Sequence, residues 1–555
     1  MTIRTIIDEA VAKGPEITAM VFKRDRVWQE LSYREFGQRV ARVAEGFARL
    51  GVEPKRDCVA LMMENCPEWV ECYSGLAASG VTVVPIDPKL RAPEISYVLH
   101  DSQAVSLVIG KPLVATLAEI LPEHKFVKSV VVVGDAEPIE ALAGIKTETY
   151  EEFLAASPVP AQGGRYATSK PGGSDVASII YTSGTTGRPK GAMLTHTNFC
   201  SDAAGCLDVI SEVTSKDRFL VVLPLFHSFS FTTNYIVPIF QGCSLAFVES
   251  LRTVADDCKA ASPTIMMAVP LLAEKMYGRI NDKIKKSKVA RLLIKLGMGR
   301  VIGAKVRRQL GGKLRMIVVG GAPCPVYVLE GYRSIGIGVI EGYGLTEASP
   351  VVSLSRPSDA RPGTIGYKLP NIEVRVAEPN EQGVGELQVR GPIVMKGYHN
   401  NPEATEEAFD GEWLRTGDLV SISSDGYITI CGRKKALIVN REGKNIYPEE
   451  VEQAIAIDQR VYDIVVVGYS ENGETGEKVG AIVVPNIELI TEERGGNEPG
   501  WGEIETMMRQ IVAEQCRDLA DYKHPRKLCV RREPLERTST QKVRRHVYQG
   551  QLDVK

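Results

Sequence analysis

The sequence of 555 residues has no cysteine pair in C-x-x-C spacing, no internal repeat and no excess of charge of either sign. Its eleven cysteines, an odd number at scattered positions, read as reduced and mostly buried thiols of a cytosolic protein. Lys and Arg number 67 against 69 for Asp and Glu, and a formal charge of −2 argues against global attraction to nucleic acid. The N-terminus lacks the unbroken apolar core of a signal peptide. With 44% hydrophobic, 25% charged and 6% aromatic residues, the disordered, collagen-like and membrane-spanning classes are excluded. One stretch, Phe219 to Val248, has no Asp, Glu, Lys or Arg over thirty residues, long enough to cross a bilayer. Pro224, Pro238, His227, Asn234 and Gln241 interrupt it, so it reads as buried strand, loop, helix and strand.

What is present is a multidomain chain, three or four units at roughly 150 residues each. Ser32-Tyr33-Arg34-Glu35 predicts a capping box, and Phe36, Val40, Val43, Phe47 and Leu50 recur at helical spacing until Gly51. Val59–Met63, Val81–Ile86 and Ser106–Ile109 are short apolar runs separated by helix-like segments, the pattern of buried parallel strands with crossover helices. Ten of the eighteen residues from Ser157 to Ser174 are Gly, Pro or Ser, marking a junction. From Thr364 to Ile430 short strands of alternating face, such as Glu386-Leu387-Gln388-Val389-Arg390, predict a β-rich unit. After Gly432 helices near Pro448–Ile457 and Ile504–Cys516 and strands near Asp463–Gly468, Val479–Val484 and Leu528 predict a separate α+β domain of roughly 120 residues.

The most informative segment runs from Tyr181 to Gly191 through Thr182, Ser183, Gly184, Thr185, Thr186, Gly187, Arg188, Pro189 and Lys190. Its glycines allow close backbone approach, its hydroxyls donate, and Arg188 and Lys190 bring positive charge, so the loop can wrap a polyphosphate. It is not a Walker loop, because no Gly-Lys-Ser/Thr sequence is present in it. A Gly/Ser/Thr loop is ordinarily a solvated connector, but this one follows the apolar strand Ala177–Tyr181, where α/β sheets bind ligands.

Across Thr182 to Gly191 the chain resembles the adenylate-forming superfamily of acyl-CoA synthetases, luciferases and peptide-synthetase adenylation domains. Six further motifs of that family follow in order. Leu223-Pro224-Leu225-Phe226-His227 resembles its histidine motif, and Gly320-Gly321-Ala322-Pro323 its adenine-side turn. Glu341-Gly342-Tyr343-Gly344-Leu345-Thr346-Glu347 resembles its nucleotide and magnesium motif, Thr416-Gly417-Asp418 its ribose motif, and Gly432-Arg433-Lys434-Lys435 its hinge. The tail Arg537 to Arg545 resembles the motif of the catalytic lysine, here Lys542, with Gln541 where the family usually has glycine. The resemblance implies an α/β fold: a large N-terminal domain (1–432) of two αβ-layered subdomains plus a β-rich, barrel-like one, a hinge (433–435) and a small mobile α+β C-terminal domain (436–555).

By that resemblance Lys190 and the loop neutralise polyphosphate, and Glu347 supports Mg²⁺ with Thr186 nearby. Gly320, Gly321, Ala322, Glu341, Gly342 and Gly344 line the nucleotide, Tyr343 packs on the adenine, and Thr346 reaches the α-phosphate. Asp418 accepts from the ribose hydroxyls and Arg433 holds ribose or phosphate oxygens. His227 lines the carboxylate end of the acyl site, and Lys542 stabilises charge during adenylation. Rotation about Lys435 then withdraws Lys542 and presents Gly443, Lys444 and Asn445 to the pantetheine of CoA. Taken bare, several of these residues have bland readings: a core histidine, a solvated glutamate, an ordinary turn, a solvated basic tail.

The resemblance is strongest to long-chain fatty acyl-CoA synthetases, through Phe226-His227-Ser228-Phe229-Ser230, Ala268 to Lys275 and Asn440 to Glu450. It implies a fatty acid, ATP and CoA as substrates, with an aromatic or short-chain acid, a carrier-protein pantetheine, or nucleotide binding without turnover as alternatives. The uncharged stretch could wall an apolar tunnel or be ordinary core. Arg279 to Lys313 holds twelve basic residues against the single acid Asp282, and Val289, Leu292, Leu293 and Leu296 share one helical face. Such a segment is ordinarily a packed helix with a solvated face; the alternative is docking on anionic lipid, making a cytoplasmic protein peripheral to the inner face of the membrane.

Overall fold

Short runs of Val, Ile and Leu become strands buried on both faces when helices carry the chain back over the sheet. The computed structural model describes residues 1–134, 142, 144–160, 162–182, 188–250, 252–470, 476–537 and 543–553. They form two compact units: Met1–Val374 with Val389–Leu414, and Arg375–Gln388 with Arg415–Lys555.

In the first unit a seven-stranded sheet contains the predicted parallel strands as Cys58–Met62, Thr82–Pro85 and Ser106–Gly110, with helices Pro67–Ala78 and Ala92–Ser102 crossing between them. Leu61, Val83 and Val108 are each fully buried. The strand Val176–Thr182 runs parallel to Thr82–Pro85 and is followed by the antiparallel strand Lys190–Thr195. The phosphate-loop segment therefore joins two strands and does not open a helix.

A nine-stranded sheet carries the segments Leu223–His227, Gly320–Pro323 and Glu341–Glu347 at its strand ends. Its parallel core runs through Ser244–Phe247, Arg218–Val221, Ile265–Ala268, Met316–Val319 and Gly338–Gly344. The predicted capping box is present: Ser32 Oγ accepts from the Glu35 amide at 3.2 Å, and the Glu35 carboxylate accepts from Ser32 N at 2.8 Å. It starts helix Tyr33–Arg49, which buries Phe36, Val40, Val43 and Phe47.

The uncharged stretch resolves as strand Arg218–Val221, a loop, a helical run from Ser228 to Gln241 with a π-wound middle, and strand Ser244–Phe247. Phe219, Phe231, Tyr235 and Phe247 in it are core, and the Phe231 ring lies 4.6 Å from that of Tyr73 and 4.7 Å from that of Phe199. Among the described residues no helix is long and apolar enough to cross a membrane. The cysteines are all free, and Cys529 alone is exposed.

The basic segment forms helices Pro270–Lys286, Lys288–Lys295 and Gly299–Gln309. A Cβ at Gly299 would lie 1.9 Å from Ser334 O and one at Gly303 1.8 Å from Ile335 O, so the third helix lies directly on that backbone. The middle helix departs from the packed-helix expectation. Leu293 and Ile294 turn partly inward, but Val289, Leu292 and Leu296 are 68%, 56% and 63% exposed.

In the second unit, strands Val461–Tyr469 and Lys478–Pro485 are antiparallel and Lys527–Val530 joins the latter in parallel. Helices Pro448–Ile455 and Trp501–Gln515 bury Val451, Ile455, Ile504, Met508 and Ile511 against them.

Candidate active site

In the first unit the candidate residues sit at strand ends and in the turns that leave them, where backbone groups have no ladder partner and can meet a ligand. Val319 and Glu341 are register partners, which sets Gly320 beside Gly342. A Cβ at Gly320 would lie 2.9 Å from the Phe229 ring and 3.2 Å from Gly342 O, so glycine allows that approach without displacing either; Gly321 follows with φ +86°. Ala322 completes the turn. Burial pushes the Glu341 carboxyl up to about 7, against the lowering effects of the Cys324 amide and Arg333.

After Tyr343 the chain turns sharply. A Cβ on Gly344 would come within 1.7 Å of Pro350 O, the atom that also accepts from Leu345 N at 3.0 Å. This closes the turn presenting Thr346 and Glu347. The Thr346 hydroxyl lies 2.8 Å from that of Ser228, next to His227, whose Nδ1 accepts from Phe229 N at 3.3 Å and so orients the ring. Glu347 is held twice: its backbone carbonyl accepts from Met395 N at 2.8 Å and its Oε1 accepts from the Tyr398 hydroxyl at 2.7 Å. Burial and then the Glu347 charge push the Tyr398 phenol upward, so it remains a donor.

Thr182 and Lys190 are cross-strand partners, and the Thr182 hydroxyl donates to Lys190 O at 3.4 Å. The Lys190 ammonium stands 5.2 Å from the Tyr398 ring centroid. One connected set results: Lys190, Tyr398, Glu347, Thr346, Ser228, His227, Phe229 and Gly320. Ser183, Gly184, Thr185, Thr186 and Gly187 lie outside the described residues. Mg²⁺ bound by one or two carboxylates together with substrate phosphates asks little more of a protein than the second oxygen of Glu347, and the residues described fit it.

The second unit carries its own cluster. Asp418 and Arg433 are cross-strand partners and form an ion pair at 2.7 Å, with the Asp418 side chain 4% exposed and that of Arg433 50% exposed. The sequence reading has both facing the nucleotide; in the structure Arg433 holds the Asp418 carboxylate from across the strand pair. Gly417 N donates to Glu386 Oε1 at 3.1 Å, and Lys434 pairs with Glu386 Oε2 at 2.9 Å. Lys435 is exposed, as are Gly443, Lys444 and Asn445 on a hairpin turn in which Asn440 Oδ1 accepts from Lys444 N at 2.8 Å.

Lys542 and Gln541 lie outside the described residues, but both flanks of that segment are anchored. Arg537 pairs with Asp463 at 2.8 Å, and Arg545 pairs with Glu452 at 2.6 Å and Glu449 at 3.2 Å. A solvated basic tail would make none of these pairs. Burial, only partly offset by Arg545, pushes the Glu452 carboxyl up to about 6. Tyr398 stands in no motif, and although Ser228 and Glu386 fall in segments the sequence singles out, nothing local gives either a site role.

A family profile described as AMP-binding enzyme matches residues 7–399. The long-chain-fatty-acid–CoA ligase FadD15 of Mycobacterium bovis is 31% identical over 500 residues, 82% of this chain and 81% of that protein. A solved Mycobacterium tuberculosis fatty acyl CoA synthetase is 27% identical with a TM-score of 0.67, covering 99% of this chain and 97% of its own. The anthranilate CoA ligase AuaEII in complex with anthranoyl-AMP shares the fold at 23% identity, with a TM-score of 0.80 over 99% of this chain and 96% of its own.

Proposed function

The chain belongs to the AMP-binding enzyme family, and on that premise we propose that it is an AMP-forming acid–thiol ligase. It converts a medium- to long-chain fatty acid to its CoA thioester with ATP, through an acyl-adenylate, releasing pyrophosphate and then AMP. The observation that carries the reading is the connected set from Lys190 through Tyr398, Glu347, Thr346 and Ser228 to Gly320.

A carboxylate resists attack because its charge repels nucleophiles; as a mixed anhydride with AMP it yields to a thiol. Lys190 and the loop Thr182 to Gly187 draw charge from the polyphosphate. Glu347 and Thr186 would hold Mg²⁺, whose charge offsets that of the phosphates. Gly320, Gly321 and Ala322 leave room beside Tyr343 for the adenine, and Asp418, paired with Arg433, accepts from the ribose. Thr346 donates at the α-phosphate, His227 lines the acyl carboxylate, and Lys542 stabilises the charge that develops between them. The C-terminal domain then turns about Lys435, withdrawing Lys542 and bringing Gly443, Lys444 and Asn445 to the pantetheine.

A panel of acids with ATP and Mg²⁺, following pyrophosphate release and then CoA-dependent AMP release, tests this. Turnover is expected with fatty acids. Turnover with aromatic or short-chain acids alone, transfer only to a carrier-protein pantetheine, or nucleotide binding without turnover would each replace the reading. Lys542→Ala is expected to suppress adenylation strongly while sparing thiolation of supplied acyl-adenylate; equal loss of both contradicts the rotation.

The reading extends to a cytoplasmic protein peripheral to anionic membrane through 279–313. Its support is the outward stripe Val289, Leu292 and Leu296 interleaved with exposed Lys288, Arg291 and Lys295. Vesicle co-sedimentation indifferent to anionic lipid and to salt would sink it.

A further inference from the structure

A carboxylate that holds a cation through one oxygen must have its plane set by something at the other. In the turn after Gly344 that partner is Tyr398, whose hydroxyl donates to Glu347 Oε1 at 2.7 Å while the Lys190 ammonium stands 5.2 Å from its ring centroid. We propose that Tyr398 is a positioning residue for adenylation: its hydroxyl orients Glu347 toward the cation on the triphosphate, and its ring holds Lys190 toward the same phosphates. This rests on the roles given above to Glu347 and Lys190.

Tyr398 is itself fixed through its main chain. It bridges to Ala192, and its neighbours run along the strand that leaves the phosphate loop: Met193 N donates to Gly397 O at 2.9 Å, Lys396 N to Met193 O at 2.9 Å and His399 N to Gly191 O at 2.7 Å. Tyr398 N donates to the Thr405 hydroxyl at 2.9 Å, and Met395 N to Glu347 O at 2.8 Å. Residues 395 to 399 thus join the Lys190 strand and the Glu347 turn by backbone alone. The Tyr398 side chain is therefore not needed to hold the two segments together, and it meets the functional group of each.

The test uses the full chain and calorimetric titration of ATP across a series of Mg²⁺ concentrations. Tyr398→Phe keeps the ring and is expected to raise the Mg²⁺ concentration for half-maximal tightening of ATP binding roughly tenfold or more. ATP affinity without Mg²⁺ and the unfolding midpoint should stay near wild type. Tyr398→Leu, which removes the ring as well, should also weaken Mg²⁺-independent ATP binding. In a Glu347→Gln background, Tyr398→Phe should add nothing to the Mg²⁺ dependence, since the two act as a unit. A Phe variant with wild-type Mg²⁺ dependence, or one that changes only the unfolding midpoint, overturns the proposal. A wild-type chain that binds no Mg·ATP overturns the functional reading and this assignment with it. Normal wild-type binding with an unmoved Phe variant overturns the role of Tyr398 alone.

Discussion

The strand Gly338–Gly344 and the helix Lys288–Lys295 belong to the same unit and meet opposite fates. The strand has few apolar residues, yet Val339 and Ile340 are 3% and 2% exposed, and its continuation is held by Pro350 O, Ser228, Met395 and Tyr398. The helix has Val289, Ala290, Leu292, Leu293 and Ile294 in eight residues and buries none of them. Apolar content does not decide burial; neighbours on both sides do. Where they exist, polar groups can be held in fixed directions for chemistry, and where they do not, apolar side chains stay exposed.

The largest expected contrast is in stability. Ile340→Ala should cost about 2–5 kcal/mol by chemical denaturation, as a cavity in a packed sheet does. Leu292→Ala should stay within about 0.5 kcal/mol, as for an open surface. Equal losses would mean that the helix is covered in solution. Next comes Gly344→Ala, whose methyl group must displace the Pro350 carbonyl and with it Thr346 and Glu347. Pyrophosphate exchange should fall roughly 10²-fold, the scale of an ångström's misplacement, with the fold retained by circular dichroism. An unchanged rate would break the link between this close approach and the site.

On the helix side, Arg291→Gln should weaken binding to anionic vesicles roughly fivefold, about 1 kcal/mol for one basic residue, with adenylation in solution unchanged. Vesicle binding that ignores the substitution removes the helix from the membrane contact. The last contrast is a pH dependence at Glu341. Its carboxyl is raised from 4.5 to about 7, so the folded chain holds this proton more tightly than the unfolded one. The stabilisation is complete below about pH 4.5 and is lost as pH rises through about 7. Glu341→Gln should flatten that part of the unfolding-midpoint profile, and an identical slope in both proteins would count against a buried Glu341.

Much of the fold is legible in local pattern. Ser32 and Glu35 marked their helix because a capping box is complete within four residues, and the strands around Leu61, Val83 and Val108 marked themselves as apolar runs between polar turns. Around the site legibility stops at the motif. Thr346 and Glu347 could be singled out, but not Ser228 or Tyr398, which stand 118 and 51 residues away from their partners. The motif resemblance makes both Asp418 and Arg433 nucleotide contacts, and their pairing follows only from strand register. The tail near Lys542 resembles the catalytic-lysine motif, but its anchoring is not legible locally because Asp463, Glu449 and Glu452 lie far back in the chain.

By itself, then, the sequence determined the elements, their order and the chemical groups its motifs offer, because periodicity, turn chemistry and motif are properties of neighbouring residues. Only the tertiary structure decided that Tyr398 joins Lys190 to Glu347, that Arg433 faces Asp418, and that Val289, Leu292 and Leu296 look outward. Those facts depend on sheet register and on which surface is left uncovered once distant segments have packed, and no local stretch of sequence holds that information.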